Sequence, residues 1–216
     1  MACHLIAVCF DATDPPQVER FWAGLLGPRG REMGFRLRFV PTAKPKTVKN
    51  PMHFDLTSTS LDDQRQTVER ALALGARHID VGQRPEEGHV VLADPGGNEL
   101  CVIEPGNAFL AGCGLVGALA CDGSREVGHF WSDALGWPLV WDQDEETAIQ
   151  SPRGGPKITW DGRRPPTANP RVRFDVATDG DRAVEAERLV ALGATRLDAS
   201  TLTDPDGNAF RLLGDE

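Results

Sequence analysis

Apolar positions recur along this chain at two spacings, and each pattern occurs twice. Val18, Phe21, Trp22 and Leu25 fall at i, i+3, i+4 and i+7, which predicts a helix with one face packed on a sheet. Asp14 before Pro15 suits its start and Gly27 its stop. The same spacing returns at Val127, Phe130, Trp131 and Ala134, again closed by a glycine, Gly136. A second helix type ends Ala73-Leu74-Gly75-Ala76 in one place and Ala191-Leu192-Gly193-Ala194 in the other, each glycine placed for a left-handed C-terminal cap. Period-two strands precede these helices at residues 52–56 and 172–176, and His4 to Phe10 predicts a further strand at the start. Two matching turns, Asp94-Pro95-Gly96-Gly97-Asn98 and Asp204-Pro205-Asp206-Gly207-Asn208, lead into final strands at 99–103 and 209–213.

The whole series is therefore written twice, and a chain of 216 residues accommodates two units of roughly 100 residues, each able to bury a core. The breaker segment Glu104-Pro105-Gly106-Asn107 puts the boundary near 108, giving domains at 1–108 and 109–216. Pro41 to Pro51 and Arg163 to Pro170 join the two modules within each half. Several strands follow each helix in succession, so the expected class is α+β.

Composition narrows the function. A net charge of −9 without a basic run excludes binding to polyanions, so neither nucleic acid nor an anionic membrane is an expected partner. The start lacks a basic leader and its apolar stretch is too short for a signal peptide or a membrane span, so the mature chain is expected to begin near residue 1. Five cysteines without a Cys-x-x-Cys pair read as reduced thiols, and the expected location is cytoplasmic.

The Phe-Trp helices, Lys46-Thr47-Val48-Lys49-Asn50 before His53-Phe54-Asp55-Leu56, the Ala-Leu-Gly-Ala helix ends and Leu92 to Glu99 together resemble the glyoxalase and bleomycin-resistance group, the vicinal oxygen chelate superfamily, and within it glyoxalase-like domains of actinobacterial type. The resemblance implies four βαβββ modules forming two glyoxalase-like domains, each a curled mixed sheet with helices on its outer face. Two segments are short for that plan, between Gly27 and Phe35 and from Asp198 to Thr203, and each is expected to carry a missing or stunted edge strand.

In metal-dependent members of the group, ligands come from the first and last strands of the modules. In cup one, taken from the first half, these positions are His4, His53 and Cys101, with Glu99 two residues before the cysteine on the same face. Cup two offers Cys113, Arg173 and Arg211, with Lys157 to Trp160 where a carboxylate would be sought. Guanidinium groups repel a cation, so Arg173 and Arg211 point to a carboxylate or phosphate, or else to pairing with Asp175. His53 and Asp55 share a strand face as a base and its carboxylate partner, or as a polar pair without a catalytic role. Trp137, Trp141 and Trp160 are candidates to stack on a planar ligand, whereas Trp22 and Trp131 read as core. Cys101 is a ligand-contacting candidate or a small buried hydrophobe.

The reading that follows is a metal-independent protein, monomer or homodimer, that binds a small organic molecule as resistance-type relatives do, with no cofactor. The alternative is a lyase, isomerase or dioxygenase with a divalent metal in cup one, held by His4, His53 and either Glu99 or Cys101. A third reading makes one half a scaffold for the other.

Overall fold

In a computed structural model of the protein, residues 3–84, 86–163 and 171–214 are described. The first module is β1 (His4–Ala12), α1 (Pro15–Leu26) and β2 (Arg36–Pro41). The second is β3 (Met52–Leu56), α2 (Leu61–Ala73), β4 (Arg77–His78), β5 (Val90–Ala93) and β6 (Glu99–Val102). The third is β7 (Val116–Cys121), α3 (Arg125–Leu135), β8 (Leu139–Gln143), β9 (Glu146–Gln150) and β10 (Lys157–Trp160). The fourth is β11 (Val172–Ala177), α4 (Arg182–Ala191), β12 (Thr195–Arg196), β13 (Thr201–Thr203) and β14 (Ala209–Leu213). Beyond Arg163, the connector read at 163–170 lies outside the described residues.

The predicted helices form for the predicted reasons. Asp14 caps α1 by accepting from the Gln17 amide at 3.1 Å, and Val18, Phe21, Trp22 and Leu25 are buried. In α3 the buried set is Val127, Phe130, Trp131 and Ala134, and Gly136 ends the helix in the left-handed region at φ 64°. The expected shortening is also present. Among the described residues α1 is followed by a 3₁₀ turn at Gly27–Met33 and a single strand, and β13 is only three residues long.

Strand pairing departs from the order of the sequence. One sheet, A, runs β12-β13-β14-β11-β1-β2; the other, B, runs β4-β5-β6-β3-β7-β10-β9-β8. Sheet A therefore joins the first module to the fourth, through antiparallel β1 and β11, and sheet B joins the second to the third, through antiparallel β3 and β7. The expectation that the modules of each half make their own cup is corrected here. Each curled sheet takes one module from each half.

The two modules of each half are instead held together through the apolar faces of the two sheets. Phe10 of sheet A meets Phe54 of sheet B at 6.1 Å between ring centroids, and Trp22 of α1 packs edge-on to Phe54 at 5.4 Å. Trp131 of α3 meets Phe174 at 4.9 Å and Phe210 at 5.0 Å in the corresponding arrangement. The repeated turns are tied into this packing. Asp94 accepts from the Trp22 indole, the Asn98 amide and the Asn98 side chain, each at 2.9 Å. Asp204 accepts from the Asn208 amide at 2.9 Å and from the indole of Trp131. Gly97 and Gly207 complete the turns with φ of 84° and 87°, a conformation open to glycine at little cost.

Candidate functional site

The opposite, helix-free face of each sheet is where side chains are available for chemistry. On sheet B, lateral pairing sets His53 beside Ala120, then Thr159, Ala148 and Trp141. The adjoining row runs Val91, Cys101, Asp55, Ala118, Lys157 and Gln150. Paired residues share a face, so two alanines of β7, Ala118 and Ala120, lie between two groups of larger polar side chains, and Ala148 follows beyond Thr159. At a strand spacing of about 4.8 Å, these groups stand roughly 10 Å apart.

On one side lie His53, Asp55 and Cys101, each with a ligand-capable atom within 4.8 Å of the others. His53 Nε2 is 3.4 Å from Asp55 Oδ1. Burial of the ring works against its charge, but hydrogen bonds and charges at Asp55 and Cys101 outweigh it and push the imidazole up to about 10. On the other side is a cavity of about 600 Å³ lined by Phe109, Trp141, Glu146, Lys157, Thr159 and Asp161. Phe109, from the segment between the halves, meets Trp141 edge-on at 5.9 Å, and the Lys157 ammonium stands 4.3 Å from the Phe109 ring centre.

Several expected site residues lie elsewhere. His4 is on sheet A, where its Nε2 meets Asp179 at 2.9 Å, so it does not join His53. Glu99 does share the Cys101 face, but its carboxylate is taken by Lys46 and the Asn50 amide. The set of His4, His53 and Glu99 is thus not assembled. Cys113 precedes β7 in a loop, with Gln150 Nε2 3.7 Å from its sulfur. Trp160 is among the residues lining the cavity but is only 3% exposed, its ring packed over Gly123, and Trp137 packs on the core after α3. Trp141, 39% exposed, is the ring presented to the cavity.

Arg173, Asp175 and Arg211 do share a face, on sheet A, with Asp175 directly beside Arg211. Arg173 Nε stands 3.5 Å from Asp175, so the expected pairing forms loosely. Arg38 was not singled out in the sequence, yet its Nη1 donates to Asp175 at 3.1 Å. The strand parity of Arg36 and Arg38 was readable; which strand would lie beside them was not. Ala118 and Ala120 were missed for the same reason, since the strand that pairs with them, β3, is in the other half.

Metal fit can be judged from these donors. An imidazole, a carboxylate and a thiol at this spacing suit a three-ligand site with an open position, of the kind zinc occupies. All three come from one module. The facing strands contribute Ala118, Ala120, Lys157 and Thr159, none of them a carboxylate or an imidazole.

Four modules arranged as two curled sheets with outer helices define the vicinal oxygen chelate fold. Residues 7–103 and 117–213 each match the model of the glyoxalase-like domain, and the chain belongs to that family. Glyoxalase I from Zea mays is similar in fold, with a TM-score of 0.66 at 11% identity over 99% of this chain and 92% of that one. A putative dioxygenase from Bacillus subtilis superposes with a TM-score of 0.59 at 12% identity, covering 98% and 85% respectively. No curated protein matches. Among the described residues no helix is long and apolar enough to cross a membrane, and all five cysteines are free.

Proposed function

We propose that the protein binds a small planar organic molecule on the helix-free face of sheet B and does so without a metal, in the manner of a resistance-type binding protein. The observation that carries this reading is the cavity lined by Phe109, Trp141, Lys157 and Thr159, with only the small side chains of Ala118 and Ala120 on the strand between it and His53. Small side chains leave room for a ligand body, Trp141 offers a ring for stacking, and a His53 imidazolium held by Asp55 donates to a carbonyl or anionic oxygen at the far end. A neutral probe, 2-naphthol, titrated while tryptophan fluorescence is followed, should bind saturably and about tenfold more weakly to Trp141→Ala, since stacking on one ring is worth on the order of 1 kcal/mol or more. Equal affinity for parent and variant would sink the reading.

A second reading rests on the grouping of His53, Asp55 and Cys101, which would hold a divalent metal that supplies Lewis-acid polarisation of a bound oxygen for a lyase, isomerase or dioxygenase reaction. Elemental analysis of protein purified without chelators separates the two. One transition metal per chain, lost in both His53→Ala and Cys101→Ser, selects the metal-dependent reading and rejects the first.

A further inference from the structure

The helix-free face of sheet A carries a different chemistry, independent of the cup in sheet B. On β1, Ala7 stands between Arg36 of β2 and Asp175 of β11, and Asp175 stands beside Arg211 of β14. Cys9, two residues on, separates Arg38 from Arg173. Four guanidinium groups therefore project from one face, two from β2 and one each from β11 and β14, on either side of β1, opposed there by the carboxylates of Asp175 and Asp11. The face is positive in a chain whose net charge is −9.

Those charges are incompletely matched. Asp175 is 1% exposed and accepts from Arg38, but its Oδ1 has no hydrogen-bond partner. Arg173, 12% exposed, has Asp175 at 3.5 Å and Asp11 at 3.7 Å, and its Nε likewise lacks a hydrogen bond. Among the described residues Arg36 and Arg211 have no carboxylate partner. A guanidinium carries five N–H donors, and leaving them unmet in a buried setting is unfavourable. The Cys9 thiol, pushed up to about 12 by burial and by Asp175, stays neutral and offsets none of the positive charge. β2 is the last strand of the sheet, and Arg36, Arg38 and Arg211 stand exposed on it and on β14, open to solvent; a cavity of about 940 Å³ between α1 and the β2 edge reaches Arg36 and Arg38 but not Arg173 or Arg211.

We infer that this face is a binding site for a small organic anion whose carboxylate or phosphate group is held by Arg36, Arg38, Arg173 and Arg211, with Asp175 fixing Arg38 and Arg173 from below. Planar forks on one sheet face suit two-pronged contacts to such oxygens. The test is calorimetric titration of the full chain, at low and constant ionic strength, with inorganic phosphate and separately with malonate. Saturable binding of at least one is expected, and the preferred probe identifies the class of group. The double variant Arg36→Gln/Arg211→Gln removes two exposed side chains without a carboxylate partner, so its melting curve should match the parent while affinity falls about tenfold or more. The inference is overturned if neither anion binds saturably, or if the double variant binds both as tightly as the parent.

Discussion

Trp22 shows how one side chain serves two purposes. Its ring fills the core against Phe54, and its indole N–H supplies a donor to the fully buried carboxylate of Asp94. Burial pushes Asp94 above the ordinary 3.8, while the bonds from Asn98 and Trp22 work against that rise. With the folded pKa raised, the contribution of Asp94 to stability is full below the ordinary value and is lost as pH rises through the higher one. Trp22→Phe removes a donor that favours the charged form. It should cost about 1–3 kcal/mol in urea unfolding, and more at pH 8 than at pH 4.5. The apolar spacing of Trp22 was legible; its partner, 72 residues away, was not. Thiols separate by burial in the same way. Cys3 and Cys9 are pushed up to about 12 and Cys121 is likewise raised by burial, so iodoacetamide at pH 8 should label half-exposed Cys113 well before these three.

Elements formed where local chemistry decided them. Caps, glycine stops and helical spacing are short-range, and α1, α3 and both Asp-Pro turns follow from residues within a few positions of one another. Packing between elements is harder to read. Gly128, inside α3, carries no helix-ending role, yet an added Cβ would stand 1.9 Å from Thr147 Oγ1 and 2.6 Å from Thr147 Cβ on β9. The glycine is there to let helix and strand approach. Gly128→Ala should destabilise by about 1–3 kcal/mol as an overpacked core, and a thermal melt of the Gly128→Ala/Thr147→Ala double variant should recover part of the loss. Gly24→Ala, which meets the movable tip of Leu74 at 2.8 Å, should cost less.

At the scale of the molecule, duplication was plain from sequence while the choice of partner was hidden. Either adjacent or crossed pairing of modules satisfies the same periodicities, because strand parity says which residues share a face only after a neighbour is assigned. That is why His53, Asp55 and Cys101, all in one module, could be grouped together, whereas His4 was assigned to the other sheet's cup and Ala118 and Ala120 were overlooked. Crossed pairing makes each half depend on the other. Residues 1–108 alone would leave β1 without β11 and β3 without β7, two long unpaired edges. Expressed alone, this piece should fail to give a folded monomer by light scattering and circular dichroism, and mixing with 109–216 should restore native spectra. A stable monomeric fragment would contradict the dependence.

The crossed sheets also make the connectivity a ring. His4 sits beside Ala177, and Ala177 beside Leu213, so the two ends of the described chain lie two strands apart on sheet A. A short linker across that gap and a new opening near residue 108 would yield a permuted polypeptide in which modules three and four precede one and two. Every strand would keep its neighbour, and both faces, the arginine-rich one and that of sheet B, would survive the change of order. Position in the gene and position in the fold are, for this protein, separable.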